Sequence, residues 1–239
     1  MTELSRTDPQ PPAQGAQLLA SDHAHAVLRR DILLGVHAPG EPLRLADLRA
    51  RYEIGASPLR EALFRLAAEK LVVLETNRGF RVPPLDRGDW DDIVAMRRRL
   101  EPAAAREAVT RGTDLWEEDL IVGHRRLQRL GRADEIVAPL APSDRAQRWE
   151  VAHRHFHAAL IAACGSDWTI RFCALLGDQF DRYRRFAMPS RPVQSTLAGH
   201  HDALLDAAIR RDGALCEEIL DRHIAMTGEA VAAELARIV

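Results

Sequence analysis

Residues 43–82 read LRLADLRARYEIGASPLREALFRLAAEKLVVLETNRGFRV, and the spacing of apolar residues in this stretch decides the fold of the front of the chain. Leu45, Leu48 and Tyr52 recur at intervals of three and four, the spacing of one buried helical face. Ser57-Pro58 predicts the start of a second helix, with Ser57 capping free backbone donors and Pro58 placed where no amide hydrogen is needed. Leu59, Leu63, Leu66 and Ala67 carry that helix along one apolar face. Residues 71–74 predict a strand, 76–79 a turn, and 80–82 a second strand.

Helix, turn, helix and hairpin in this order predict a winged helix-turn-helix. In such a module the second helix enters the DNA major groove and turns its N-terminal residues toward phosphates and base edges. The candidate DNA-binding residues are Arg49, Ser57, Arg60 and Arg65 on the helices, and Arg78 and Gly79 at the hairpin tip. Arginine forks onto a phosphate or onto the Hoogsteen edge of guanine, and a tip glycine lets the backbone come close.

Length and composition agree with a two-part globular chain. The 239 residues suffice for one large domain or two smaller ones, and 46% hydrophobic with 28% charged residues indicates a soluble protein. No apolar run approaches the ~20 residues that a membrane span needs, and the N-terminus lacks a secretory pattern. Cys164, Cys173 and Cys216 lie far apart, which points to reduced thiols and a cytoplasmic location. A net charge of -2 neither advertises nor excludes nucleic acid, because phosphates respond to the local face.

Residues 1–20, rich in Pro and Gln, read as a disordered arm. A helix capped by Ser21 opens a DNA-binding domain at 21–82, and Pro83-Pro84 begins a stiff linker at 83–86. From 87 to 239 the pattern is helical. Pro102 is expected to kink or interrupt the first helix, Thr113 to cap the next, and a polar loop to cover 138–143. Further helices are expected at 144–163, 168–187, 192–211 and from 213 onward. The fold class is therefore mainly α: a winged helix-turn-helix followed by an all-α bundle of six to seven helices.

Histidines mark that bundle. His153 and His157 are four apart and share one helical face, while His201 and His223 fall on two further helices. Three helices can bring such imidazoles to one point, where neutral rings suit Zn²⁺ first and Ni²⁺ next. The plainer reading is a set of surface or hydrogen-bonded core histidines. A metal-dependent hydrolase is a second functional reading, but there is no HExxH, and Glu150 is the sole carboxylate near His153 in sequence that offers a base.

Two motif sets carry a resemblance to a known family. PGxxL (Pro39, Gly40, Leu43), SPLREAL at 57–63, RLxxxxLV from Arg65 and the RGF tip resemble the DNA-binding domain of GntR-type bacterial transcription regulators. Ala56 stands where many members carry an arginine, which leaves the base contact there unassigned. WExxHRxFH at 149–157, AACGS at 162–166 and HDALLDAA at 201–208, with a histidine 22 residues after His201, are similar to the FCD effector domain of the FadR subgroup. The resemblance implies a metabolite-responsive regulator, a repressor rather than an enzyme, that binds a palindromic DNA operator as a homodimer. It also implies a divalent metal held by His157, His201 and His223, with His153 where the subgroup usually has Asp, beside a pocket for a small organic acid. Arg97 aligns with the RxxLE opening signature of that domain and is the first candidate to clamp the acid. Arg182 and Arg184 are further candidates on a cavity-lining helix, with a salt-bridged surface as the alternative.

Overall fold

The computed structural model describes residues 14–130, 144–187 and 191–238, and the chain divides into two compact units. The first comprises the chain through Ile32 together with Gly40–Pro83; the second comprises Leu33–Pro39 and Pro84 onward.

In the first unit α1 (Gln14–Leu33) precedes a short strand β1 (Pro42–Leu43), the helix pair α2 (Leu45–Tyr52) and α3 (Ala56–Ala68), and a hairpin of β2 (Val73–Glu75) and β3 (Gly79–Arg81). Leu28, Ile32, Leu48, Leu59, Leu63, Leu66 and Leu71 close over one another as its core. The strands pair antiparallel in the order β1-β3-β2, with Phe80 opposite both Leu43 and Leu74. Phe80 meets Phe64 edge-on at 5.2 Å, which seats the hairpin on α3. Asn77 and Gly79 take left-handed backbone angles, with φ of 62° and 81°, to turn the tip.

Three local expectations are corrected here. α3 starts at Ala56, flanked by Gly55 in extended conformation, so Ser57 lies inside the first turn and is not the cap. Pro58 is still within the first turn, where its missing N–H costs no helical bond. Ser21 likewise sits inside α1, which begins at Gln14; the single proton of its buried hydroxyl lies between two acceptors, Glu61 of α3 (3.0 Å) and the Leu18 carbonyl (3.3 Å). Of the disordered arm expected at 1–20, residues 14–20 instead form the first turns of α1, and residues 1–13 lie outside the described residues. Strand β1 has only two residues, too few for an alternating pattern, and its pairing partner decides it.

The second unit holds α4 (Arg87–Arg111), α5 (Asp114–Arg129), α6 (Asp144–Ile161), α7 (Asp167–Phe186), α8 (Arg191–Ile209) and α9 (Gly213–Ile238). Asp86, Thr113 and Ser166 cap α4, α5 and α7 by accepting from backbone amides of the first turn at 2.8, 3.4 and 3.2 Å. The expected loop at 138–143 lies outside the described residues.

Pro102 does not break α4, which runs through it. The reason is tertiary. α9 lies antiparallel along α4 and ties it on both sides of the proline: Trp90 Nε1 donates to the Gly228 carbonyl (3.0 Å), Arg98 pairs with Asp221 (2.7 Å), and Arg106 pairs with Glu217 (3.2 Å). At Gly228 any Cβ would come within 2.9 Å of Val94, so glycine sets how closely the two helices approach. The bundle core gathers Trp90, Phe156, Leu160, Leu204, Leu220 and Ile224. All three cysteines are buried and free. Among the described residues no helix is long and apolar enough to cross a membrane.

Candidate metal centre

Helical spacing places His153 and His157 one turn apart on α6, with Phe156 and Leu160 holding that helix in the core. α8 brings His201 against them and α9 brings His223. The Nε2 atom of His157 lies 3.2 Å from Nε2 of His153 and 3.2 Å from Nε2 of His201. One ligand nitrogen from each of the four rings falls within 4.8 Å of the others. His201 and His223 are buried, while His153 and His157 are partly accessible. The structure thus brings together all four histidines that the sequence nominates.

The cluster fits a divalent cation. A neutral imidazole carries one N–H, so the His157 Nε2 cannot serve two neighbouring ring nitrogens with a proton, whereas lone pairs converging on a cation satisfy every ring. Nδ1 of His157 and of His223 is buried with no hydrogen-bond partner among the described residues. Tetrahedral coordination by imidazole at about 2.0–2.1 Å places donor nitrogens roughly 3.3–3.4 Å apart, close to the spacing seen here. Burial is the main cause holding all four rings below the ordinary histidine range, and His201 is pushed down to about 3. Nearby positive charges add to it, Arg184 and Arg97 among them for His153 and His157. These rings are therefore neutral and available as ligands at neutral pH.

The arginines around the cluster separate into two groups. Arg97 is buried, forks onto Glu101 at 2.6 and 2.8 Å, and stacks over Phe180 with its guanidinium 4.0 Å from the ring centre. Arg184 is also buried and pairs with Glu150 and, at 3.4 Å, with Asp181. Both lie in the electrostatic neighbourhood of the histidines. Arg182 turns the other way: it lies over the Tyr183 ring (4.7 Å) and beside Gln179 (3.4 Å), on the side of Asp89. The alternative of salt-bridged surface positions holds in part: Arg184 is salt-bridged, but both arginines are buried, at most 5% exposed.

Other side chains meet at the centre, and of these the sequence offers only Glu150, as a candidate base. Trp149 stacks flat on His153 (4.7 Å, 15° between planes) and walls that ring in. Glu150 and Asp181 come near His153, but Arg184 already engages both carboxylates. His124 on α5 is buried and bonds Asp202, the neighbour of His201, at 2.8 Å. A lone histidine such as His124 gives no sequence signal; only the packing of α5 on α8 reveals it. His155 faces away from the cluster toward Asp119 of α5 (3.5 Å).

In the first unit, Arg49, Ser57, Arg60, Arg65, Arg78 and Gly79 are all exposed. Arg65 is tied to Asp22 of α1 at 2.6 Å. Arg49 lines a shallow groove with Ala46, Ala50, Glu53, Ile54 and Gly55 at the turn between α2 and α3.

Comparison with known proteins matches both units. Residues 20–82 match the model of the bacterial regulatory proteins of the gntR family, and residues 92–226 match the FCD domain. The chain is 41% identical over 198 residues to the uncharacterized HTH-type transcriptional regulator BphR of Paraburkholderia xenovorans, covering 82% of this chain and 79% of that protein. It is 34% identical over 202 residues to the HTH-type transcriptional repressor GlaR of Escherichia coli, covering 82% of this chain and 89% of that one. Among solved structures, E. coli McbR/YncC shares the fold with a TM-score of 0.73 at 20% identity, over 92% of this chain and 99% of that chain.

Proposed function

Because the chain belongs to the GntR family of bacterial DNA-binding transcription regulators and carries an FCD domain, we propose that it is a repressor whose four-histidine centre holds a divalent ion and, with it, a small organic acid. It is a regulator and not an enzyme. The observation that carries the proposal is the convergence of the four rings: His157 Nε2 lies 3.2 Å from Nε2 of both His153 and His201, and one ligand nitrogen of each ring, His223 included, falls within 4.8 Å of the others. Four neutral nitrogen donors favour Zn²⁺, with Ni²⁺ next. When bound, the ion supplies the positive charge against which a carboxylate is held.

The chain's own residues do the rest. Arg97 and Arg184 supply two buried guanidiniums beside the centre, each held in place by an internal carboxylate. An incoming acid competes with those carboxylates, which favours a ligand able to meet a guanidinium bidentately. Trp149 covers His153 and excludes water from that side. Arg182 is assigned no direct contact with the acid.

In the first unit the exposed set Arg49, Ser57, Arg60, Arg65, Arg78 and Gly79 reads the operator, with two copies of the chain on a palindrome. The acid acts by binding the free and DNA-bound arrangements unequally, and release from DNA is the expected sign. The test is operator affinity of the zinc-loaded protein across a panel of small mono- and dicarboxylates. One acid should weaken binding at least tenfold. No change with any acid, in protein shown by elemental analysis to hold zinc, overturns the switch. His201→Ala should lose zinc and the acid response together while still binding the operator.

A further inference from the structure

The last turn of α7 carries, beyond Arg184, two further residues that the proposed function does not use. Arg184 faces the histidine centre and pairs with Glu150. Arg185 Nε donates to the Leu34 carbonyl at 2.5 Å, and its Nη1 lies 4.0 Å from Glu150 Oε1. Phe186 packs on Gly35, where a Cβ would lie 3.1 Å from its ring and 3.4 Å from Arg185 Nε. Leu34 is the first residue past α1, and Gly35 takes a φ of 73° there, so Arg185 holds the first carbonyl of the connecting segment where it turns. Leu33–Pro39 belongs to the helical unit, whereas α1 through Ile32 belongs to the DNA-reading unit.

Glu150 is therefore shared. One carboxylate oxygen is taken by Arg184, and the other faces the guanidinium that holds the Leu34 carbonyl. The same side chain comes within 4.8 Å of a ligand nitrogen of His153, one turn away on α6. Burial pulls the Arg185 guanidinium below its ordinary range, and Glu150 is the first charge opposing that pull.

From this geometry we infer that Glu150 and Arg185 are positioning residues that transmit the charge of the histidine centre to the segment 33–39 of the same unit. The inference rests on the reading of that centre as a cation site. With a dication held by the four imidazoles, the Glu150 carboxylate would shift toward the centre and away from Arg185. Arg185 then holds the Leu34 carbonyl less firmly, and the segment 33–39 that leads back into the DNA-reading unit is freed. An anion added at the centre offsets the dication and returns Glu150 to Arg185. The device thus converts occupancy of the centre into the stiffness of one connecting segment.

Full-length protein and Zn²⁺ alone suffice for the test. Zinc content is read by elemental analysis, and backbone hydrogen exchange is followed across residues 33–39. In the natural sequence zinc should speed exchange in that segment about tenfold, the scale of one charge-assisted hydrogen bond. Arg185→Met should exchange fast with or without zinc while binding the same amount of metal. Arg185→Lys, which keeps a charge facing Glu150, should recover part of the zinc dependence. Gly35→Ala alters no charge yet crowds Arg185 and Phe186, and should also abolish the dependence. Zinc uptake with no change across 33–39, or an undiminished change in Arg185→Met, overturns the coupling and leaves the metal centre standing. Failure of the natural protein to take up zinc removes the centre, and the coupling with it.

Discussion

Lowering the pH of metal-free protein from 7 to 5.5 should destabilise the helical unit in a way set by the histidine cluster. An unperturbed histidine titrates near ~6.5. The four clustered rings are held well below that, His201 at about 3, chiefly by burial. The unfolded chain therefore binds protons below pH ~6.5 that the folded chain refuses, so stability falls as the pH drops through that value. For one ring that stays neutral when folded, the loss is about 1.4 kcal/mol at pH 5.5 against about 0.2 kcal/mol at pH 7. His201 and His223, both buried, together account for about 2.5 kcal/mol of pH-dependent loss. His153 and His157 are partly accessible and contribute less per ring, which bounds the total at about 5 kcal/mol. Zinc at 100 times its dissociation constant adds back about 2.7 kcal/mol. The assay is urea unfolding at both pH values followed by tryptophan fluorescence, because Trp90, Trp116, Trp149 and Trp168 all lie in the helical unit. His201→Gln should shrink the pH-dependent loss by about 1.2 kcal/mol. A metal-free midpoint that is the same at both pH values, or a drop unaltered in His201→Gln, refutes the reasoning.

Further expectations follow from single contacts. Arg60→Ala should weaken operator binding and lower the slope of log affinity against log salt by about 0.9 if the side chain meets a phosphate, as read by fluorescence anisotropy over a salt series; zinc content should not change. Glu101→Ala strands the buried Arg97 charge and should cost about 3–5 kcal/mol, whereas the double change Arg97→Met with Glu101→Leu should come out near neutral in urea unfolding. Gly112→Ala forces a methyl to within 2.1 Å of the Trp116 ring and should cost at least about 1–3 kcal/mol. Gly177→Ala meets open space inside α7 and should instead stabilise by about 0.5–1 kcal/mol in the same assay.

Several features were legible in the residues because they depend on neighbours close in the chain. The apolar spacing of Leu59, Leu63 and Leu66 places α3 before any contact is known, and all three are buried. Thr113 caps α5 for a reason contained in one turn of helix. The pairing of His153 with His157 follows from four residues of helical rise. Where local signals met a competing tertiary demand, they lost. Ser21 has the chemistry of a cap, yet it lies inside α1 with Glu61 of α3 as its partner. Pro102 has the chemistry of a breaker, yet α4 continues through it, tied to α9 on both sides.

What the sequence determined by itself is a reading head of two short helices and a hairpin, and a set of imidazoles spaced for one helical face. Spacing along one chain segment is enough for such features, because helix and strand geometry repeat every few residues. That His201 and His223 join the α6 pair, that Arg97 and Arg184 enter their electrostatic surroundings, and that Arg185 reaches the Leu34 carbonyl were decided by the tertiary structure. Each depends on how one helix is rotated against another, and that rotation is set by the packing of a whole core.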